Sequence, residues 1–117
     1  MKYLILLILI LTPIANAQLW IKLDMPKGSL NYIDRDSIRK EGDFAYYTMK
    51  YNSLDDSYSL VKFKHDCKYK ARGVISTSDF DNKTDKLISS NINSKNEMFE
   101  YSRSARMIKV EKIVCRH

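Results

Sequence analysis

The chain has 117 residues, 44% of them hydrophobic, with 20 Lys and Arg against 14 Asp and Glu and a net charge of +6. This length supports one domain with one modest core. The charge is too moderate to indicate specific DNA or RNA recognition, and no run beyond the first residues approaches the ~20 apolar residues of a membrane span.

Lys2 provides a short positive start, Leu4 to Leu11 is unbroken apolar sequence, and Pro13 interrupts it. Ala15-Asn16-Ala17 then places small residues at the positions a signal peptidase reads. Residues 1–17 therefore read as a secretory signal peptide and 18–117 as a single exported domain, located in the periplasm or at the cell surface. No cysteine stands at the cleavage point, which argues against a bacterial-type lipid anchor.

Trp20 to Leu23 reads as a first strand, followed by a turn at Pro26-Lys27-Gly28. Asn31 to Asp34 is extended, and Asp34 to Ile38 is a tight turn or a single helical turn, because Asp and Ser side chains there can bond nearby backbone N–H groups. Glu41-Gly42-Asp43 turns the chain into a Phe44–Tyr51 strand rich in Tyr, Phe and Thr. Asn52 to Ser57 reads as a hairpin loop. From Val61 to Arg72 one parity carries Val61, Phe63, His65, Cys67, Tyr69 and Ala71, and the other carries Lys62, Lys64, Asp66, Lys68, Lys70 and Arg72. Side chains alternate faces along a strand, so this stretch is expected to be one long strand, apolar on one face and basic on the other, with a bulge or bend partway. The strand resumes from Gly73 to about Ser78, Asp79 to Asp85 is a polar turn, Lys86 to Ile92 is a weaker strand, and Ser94 to Glu97 is a loop. A final helix capped by Ser104 places Met107, Val110 and Val114 on one side, with Ile108 and Cys115 adjoining. Arg106, Lys109, Lys112 and Arg116 take the other side; Glu111 falls within the apolar sector and Ile113 within the basic one.

Cys67 and Cys115 are the only cysteines. In an oxidising compartment they read as one disulfide, closing about 49 residues and contributing about 4 kcal/mol by the chain-entropy estimate. His65-Asp66-Cys67 and Cys115-Arg116-His117 also hold zinc-ligand types, but the spacing matches no common finger and export favours oxidation, so neither metal nor cofactor is expected.

Trp20, Tyr32-Ile33-Asp34, Ser37-Ile38-Arg39, Gly42, Asp66-Cys67, Arg72 and the Ser104 to Val114-Cys115 segment, in this order, resemble the surface-adhesin protein E family of bacterial envelope proteins. Met98-Phe99 and Arg103-Ser104 stand where that family often has a tryptophan and a Pro-Gly before the final serine. The resemblance implies an α+β fold: an antiparallel β-sheet with a C-terminal helix packed on one face and tied there by the disulfide. It also implies homodimerisation and binding of host extracellular proteins.

Lys62, Lys64, Lys68, Lys70 and Arg72 are the candidate ligand-binding residues. On one strand face they would stand about 7 Å apart and attract polyanions or acidic protein surfaces; a solvated strand face is the plainer reading. Asp34, Ser37 and Arg39 are expected to shape a turn. A ribonuclease-type site using His65 and His117 would have suitable chemistry, but His65 shares parity with the buried face. No nucleophilic triad, carboxylate dyad or phosphate loop stands out, so the expected function is non-enzymatic. The leading expectation is an adhesin-like module for host proteins or polyanions; the alternative is a periplasmic protein that binds or inhibits another envelope component.

Overall fold

The computed structural model describes residues 19–23, 30–53, 55–95 and 97–116. The signal-peptide segment, the Pro26-Lys27-Gly28 turn and His117 lie outside them. The strands are β1 (Trp20–Leu23), β2 (Asn31–Asp34), β3 (Arg39–Glu41), β4 (Phe44–Asn52), β5 (Ser57–Asp66), β6 (Ala71–Asp81), β7 (Leu87–Ile92) and β8 (Phe99–Glu100). They form one antiparallel sheet in the order β1-β2-β4-β5-β6-β7, with β3 added beside β4 and β8 beside β6. Helix α1 (Ala105–Val114) follows, and Cys67 is disulfide-bonded to Cys115.

Alternation explains the sheet. Ala45, Tyr47 and Met49 of β4 are buried, as are Val61, Phe63 and His65 of β5, while the residues between them are more exposed. These apolar side chains join Leu23, Ile33, Ile38, Val110 and Val114 in one buried cluster. Ser104 caps α1, its hydroxyl accepting the Met107 N–H at 3.3 Å, which satisfies one of the donors a helix start leaves open. Between β2 and β3, Arg35–Ser37 forms a 3₁₀ turn. The Asp34 carboxylate accepts the Asp36 N–H, and Ser37 Oγ donates to the Asp34 carbonyl while accepting the Thr48 N–H at 2.8 Å. Asp34 and Ser37 thus pin this turn to β4.

One expectation about the sheet is corrected. Val61 to Arg72 is not a single strand: β5 ends at Asp66, residues 67–70 turn, and β6 begins at Ala71. The Asp66 carboxylate accepts the N–H groups of Lys68 and Tyr69, both at 3.0 Å, and Lys70 takes a positive φ of 55°. Asp66 pairs with Ala71 and His65 with Arg72 across the hairpin, so the four-residue turn inverts the parity: Arg72 of β6 comes to the face that His65 holds on β5, and Ala71 to the face of Asp66. β6 also runs on to Asp81, where Asp81 caps the next turn by accepting from Lys83 and Thr84. In β6, Gly73 is required by close approach, since a Cβ there would collide with the Glu97 carbonyl oxygen and the Met98 sulfur.

Candidate functional site

The hairpin separates the five basic candidates. Lys62 and Lys64 stay together on β5, on the face opposite Phe63 and His65. Lys68 is exposed on the turn, with Nζ 5.3 Å from the Tyr69 ring centre. Lys70 turns inward: its ammonium donates to the Cys67 carbonyl at 2.9 Å and stands 3.9 Å from Glu111. Arg72 pairs across from His65 and therefore shares the face of the buried cluster. Its guanidinium lies 4.1 Å over the Phe63 ring. The continuous basic row does not form, because reversal of the chain at 67–70 puts its members on different surfaces.

A different cationic surface is assembled by strand pairing. Tyr46 lies opposite Lys64, Thr48 opposite Lys62, Lys50 opposite Leu60, and Tyr58 opposite Phe80, all on one face. Lys50 Nζ sits 4.5 Å from the Tyr58 ring and 5.7 Å from the Trp20 ring; Lys64 Nζ is 4.5 Å from Phe44, and the Arg39 guanidinium is 4.7 Å from Tyr46. Tyr58 and Phe80 stack at 5.2 Å. Tyr46, Thr48 and Lys62 continue into an open concavity of about 540 Å³ bordered by Asp36 and Arg39. Cations held over rings keep their charge available to solvent, while the rings offer flat apolar surface. Of the five basic candidates read from the sequence, Lys62 and Lys64 belong to this surface.

Beneath the other face lies a buried polar relay. Tyr47 Oη is 3.0 Å from His65 Nδ1, and His65 Nε2 is 2.6 Å from Tyr101 Oη. Tyr101 donates to Glu111 Oε1 at 2.7 Å, and Arg103 grips both Glu111 oxygens, the shortest contact being 2.8 Å from Nη2. Bond accounting sets the directions. An ionised carboxylate only accepts, so Tyr101 spends its proton on Glu111 and must accept from His65 Nε2–H. Nδ1 is then bare and accepts from Tyr47. His65 is neutral in this arrangement, and its ring is fully buried. Burial, reinforced by the nearby Arg72, lowers its pKa to about 4. Burial also raises the Tyr47 hydroxyl to about 12, and burial together with the bond to Glu111 raises Tyr101. Burial pushes Glu111 upward, but bonds from Arg103 and Tyr101 outweigh it and hold the carboxyl below its ordinary value.

Among the described residues no buried side-chain nitrogen or oxygen lacks a partner. The relay is therefore complete within the protein, and both ring nitrogens of His65 are occupied. His65, Cys67 and Cys115 place their donor atoms within 4.8 Å of one another, but both sulfurs are committed to the disulfide. Tyr101 was not singled out by sequence reasoning, and neither Tyr47 nor Arg103 was read there as a partner of His65 or Glu111. Glu111 carried the one available signal, since an acid in the apolar sector of a helix requires a buried partner.

Comparison of the chain with protein-family models, curated proteins and solved structures finds no match. No helix among the described residues is long and apolar enough to cross a membrane.

Proposed function

We propose that this chain is an exported, non-enzymatic cell-envelope protein of the surface-adhesin protein E type, and that it binds polyanions through the aromatic and lysine-bearing sheet face. The observation that carries this reading is the placement of Lys50, Lys64 and Arg39 over aromatic rings beside exposed Lys62. Rings of this kind pack against the apolar faces of sugars, and the cations pair with sulfate, phosphate or carboxylate groups along a chain. Sulfated or phosphorylated polysaccharide, or an acidic patch of a host protein, fits that chemistry. A periplasmic envelope partner would be recognised by the same face, and localisation of the mature chain separates the two settings.

Supporting observations concern the rest of the molecule. The disulfide is consistent with an oxidising compartment. Val110 and Val114 in the buried cluster support a helix that covers one face of the sheet and leaves the other for ligand. His65, with both ring nitrogens bonded to tyrosines, is poorly placed for acid–base chemistry, which favours the non-enzymatic reading. The same reading includes a homodimer, for which the proposed contact is β7, an edge strand exposed along its length, with Leu87, Ile88 and Ile92 57%, 61% and 76% exposed. Antiparallel pairing of two copies about Ser89 and Ser90 would set Leu87 against Ile92.

The test is retention on immobilised heparin. Lys50→Glu/Lys62→Glu/Lys64→Glu is expected to elute at markedly lower salt than the parent protein, while Lys86→Glu/Lys95→Glu, at exposed positions outside this face, elutes closer to it. Equal retention of the triple variant and the parent would remove this face as the ligand surface.

A further inference from the structure

We propose that the cleft between the 67–70 turn and the C-terminal half of α1 is a binding site for a single tetrahedral oxyanion, a phosphate or sulfate group. The cleft holds about 150 Å³ and is bordered by Lys70, Arg103, Lys112, Arg116, Glu111 and Cys115. Four cations thus face one carboxylate. They come from three separate stretches of chain: the hairpin turn, the segment preceding α1, and the end of α1. The dipole of α1 accounts for Lys112 and Arg116, since cations are favoured at a helix C-terminus. It does not account for Lys70 and Arg103, which the tertiary fold brings to the same place.

Donor accounting favours an incoming anion. Both Glu111 oxygens are already served, Oε1 by Tyr101 and Arg103 and Oε2 by Arg103. Lys70 stands 3.9 Å from that carboxylate, beyond hydrogen-bond reach, and spends one N–H on the Cys67 carbonyl. Two of its three protons remain. Arg103 directs Nε and Nη2 at Glu111, leaving Nη1. Lys112 and Arg116 are exposed and make no ion pair among the described residues. The cleft therefore holds a surplus of charged donors, two of them fixed in place: Lys70 by Cys67 and Arg103 by Glu111. Fixed donors lower the ordering cost of binding.

Size and charge set the ligand class. About 150 Å³ is room for roughly five water volumes, enough for a tetrahedral oxyanion and its first bonded atoms. Donors converging from three segments suit a group with three or four acceptor oxygens, and guanidinium and ammonium groups are the usual partners of phosphate. This site is separate from the polyanion face. It accepts either the free ion or the phosphate group of an ester.

The experiment is a heteronuclear NMR titration of the mature protein with inorganic phosphate and, separately, with glucose 6-phosphate; glucose serves as the neutral control. Saturable shifts are expected at the backbone amides of Lys70, Lys112 and Arg116 and at Arg103 Nε–H. Lys112→Glu/Arg116→Glu, exposed at both positions, should keep the native spectrum and weaken binding at least about tenfold. The triple variant of the sheet face should bind phosphate as the parent does, so this site and the proposed polyanion face fail independently. Equal affinity for the two probes marks a site for the free ion; tighter binding of glucose 6-phosphate marks an ester site. Shifts that do not saturate, that spread over surface lysines generally, or that persist unchanged in Lys112→Glu/Arg116→Glu overturn the proposal.

Discussion

Tyr101→Phe removes one oxygen from the buried relay and leaves its ring in place. Two bonds are lost together. His65 Nε2–H, on a fully buried ring, loses its acceptor, and Glu111 Oε1 loses the Tyr101 proton. A buried donor left unpaired costs about 1–3 kcal/mol, and a hydrogen bond to a charged group contributes about 1.5–3 kcal/mol. Arg103 still serves Glu111, so the low end applies to the second bond and the expected loss is about 3 kcal/mol. For a domain of this size that corresponds to a melting point lower by roughly 12–24 °C. The assay is urea unfolding with the disulfide intact, in which the midpoint should fall while the slope is unchanged. Tyr69→Phe, at a 66% exposed position outside the relay, is the control and should stay within about 0.5 kcal/mol of the parent. Tyr47→Phe should couple to Tyr101→Phe through the imidazole they share, so the double variant should not be additive. A Tyr101→Phe protein as stable as the parent, or strict additivity with Tyr47→Phe, would refute the directional relay.

The remaining predictions concern acid and assembly. The His65 pKa is about 4 in the folded protein and 6.5 in the unfolded chain, so the unfolded chain binds the extra proton between those values. Stability from the neutral imidazole is complete above pH 6.5 and is lost as pH falls toward 4. Integrating that difference gives a loss of about 2 kcal/mol between pH 7.5 and pH 5. Glu111, Asp79 and Asp81, whose pKa values are lowered, withdraw their stabilisation only at still lower pH, so the first part of the acid loss reports His65. Denaturant midpoints that do not change between pH 7.5 and pH 5 would contradict this assignment. Ile92→Lys places a charge opposite Leu87 in the proposed β7 pairing and should shift sedimentation from dimer to monomer. A parent protein already monomeric at high concentration would dismiss that pairing.

Much of the sheet is readable along the chain because strand alternation is a local signal. Ala45, Tyr47 and Met49, and Val61, Phe63 and His65, announce their buried face through period two. The Ser104 cap and the spacing of Met107, Val110 and Val114 announce α1 in the same way, and two cysteines allow only one intramolecular pairing. The 67–70 turn escapes such reading. It has no Gly or Pro, and the apolar–basic alternation of the sequence runs through it unbroken although the faces exchange there, so only the Asp66 side chain marks it. The short strands β3 and β8 escape as well, because three and two residues carry too little pattern and exist through their partners.

What only the tertiary structure decides is which polar groups meet. Glu111 is conspicuous in the helix, yet nothing local pairs it with Tyr101, ten positions away, or Tyr101 with His65, 36 positions away. The same holds for Lys50 between Trp20 and Tyr58, and for Lys70 facing α1. Apolar burial depends on a repeating pattern that any neighbour of similar shape can satisfy. A hydrogen bond or ion pair depends on one atom reaching another within about 3 Å, and that distance is set by strand register, turn length and the disulfide acting together.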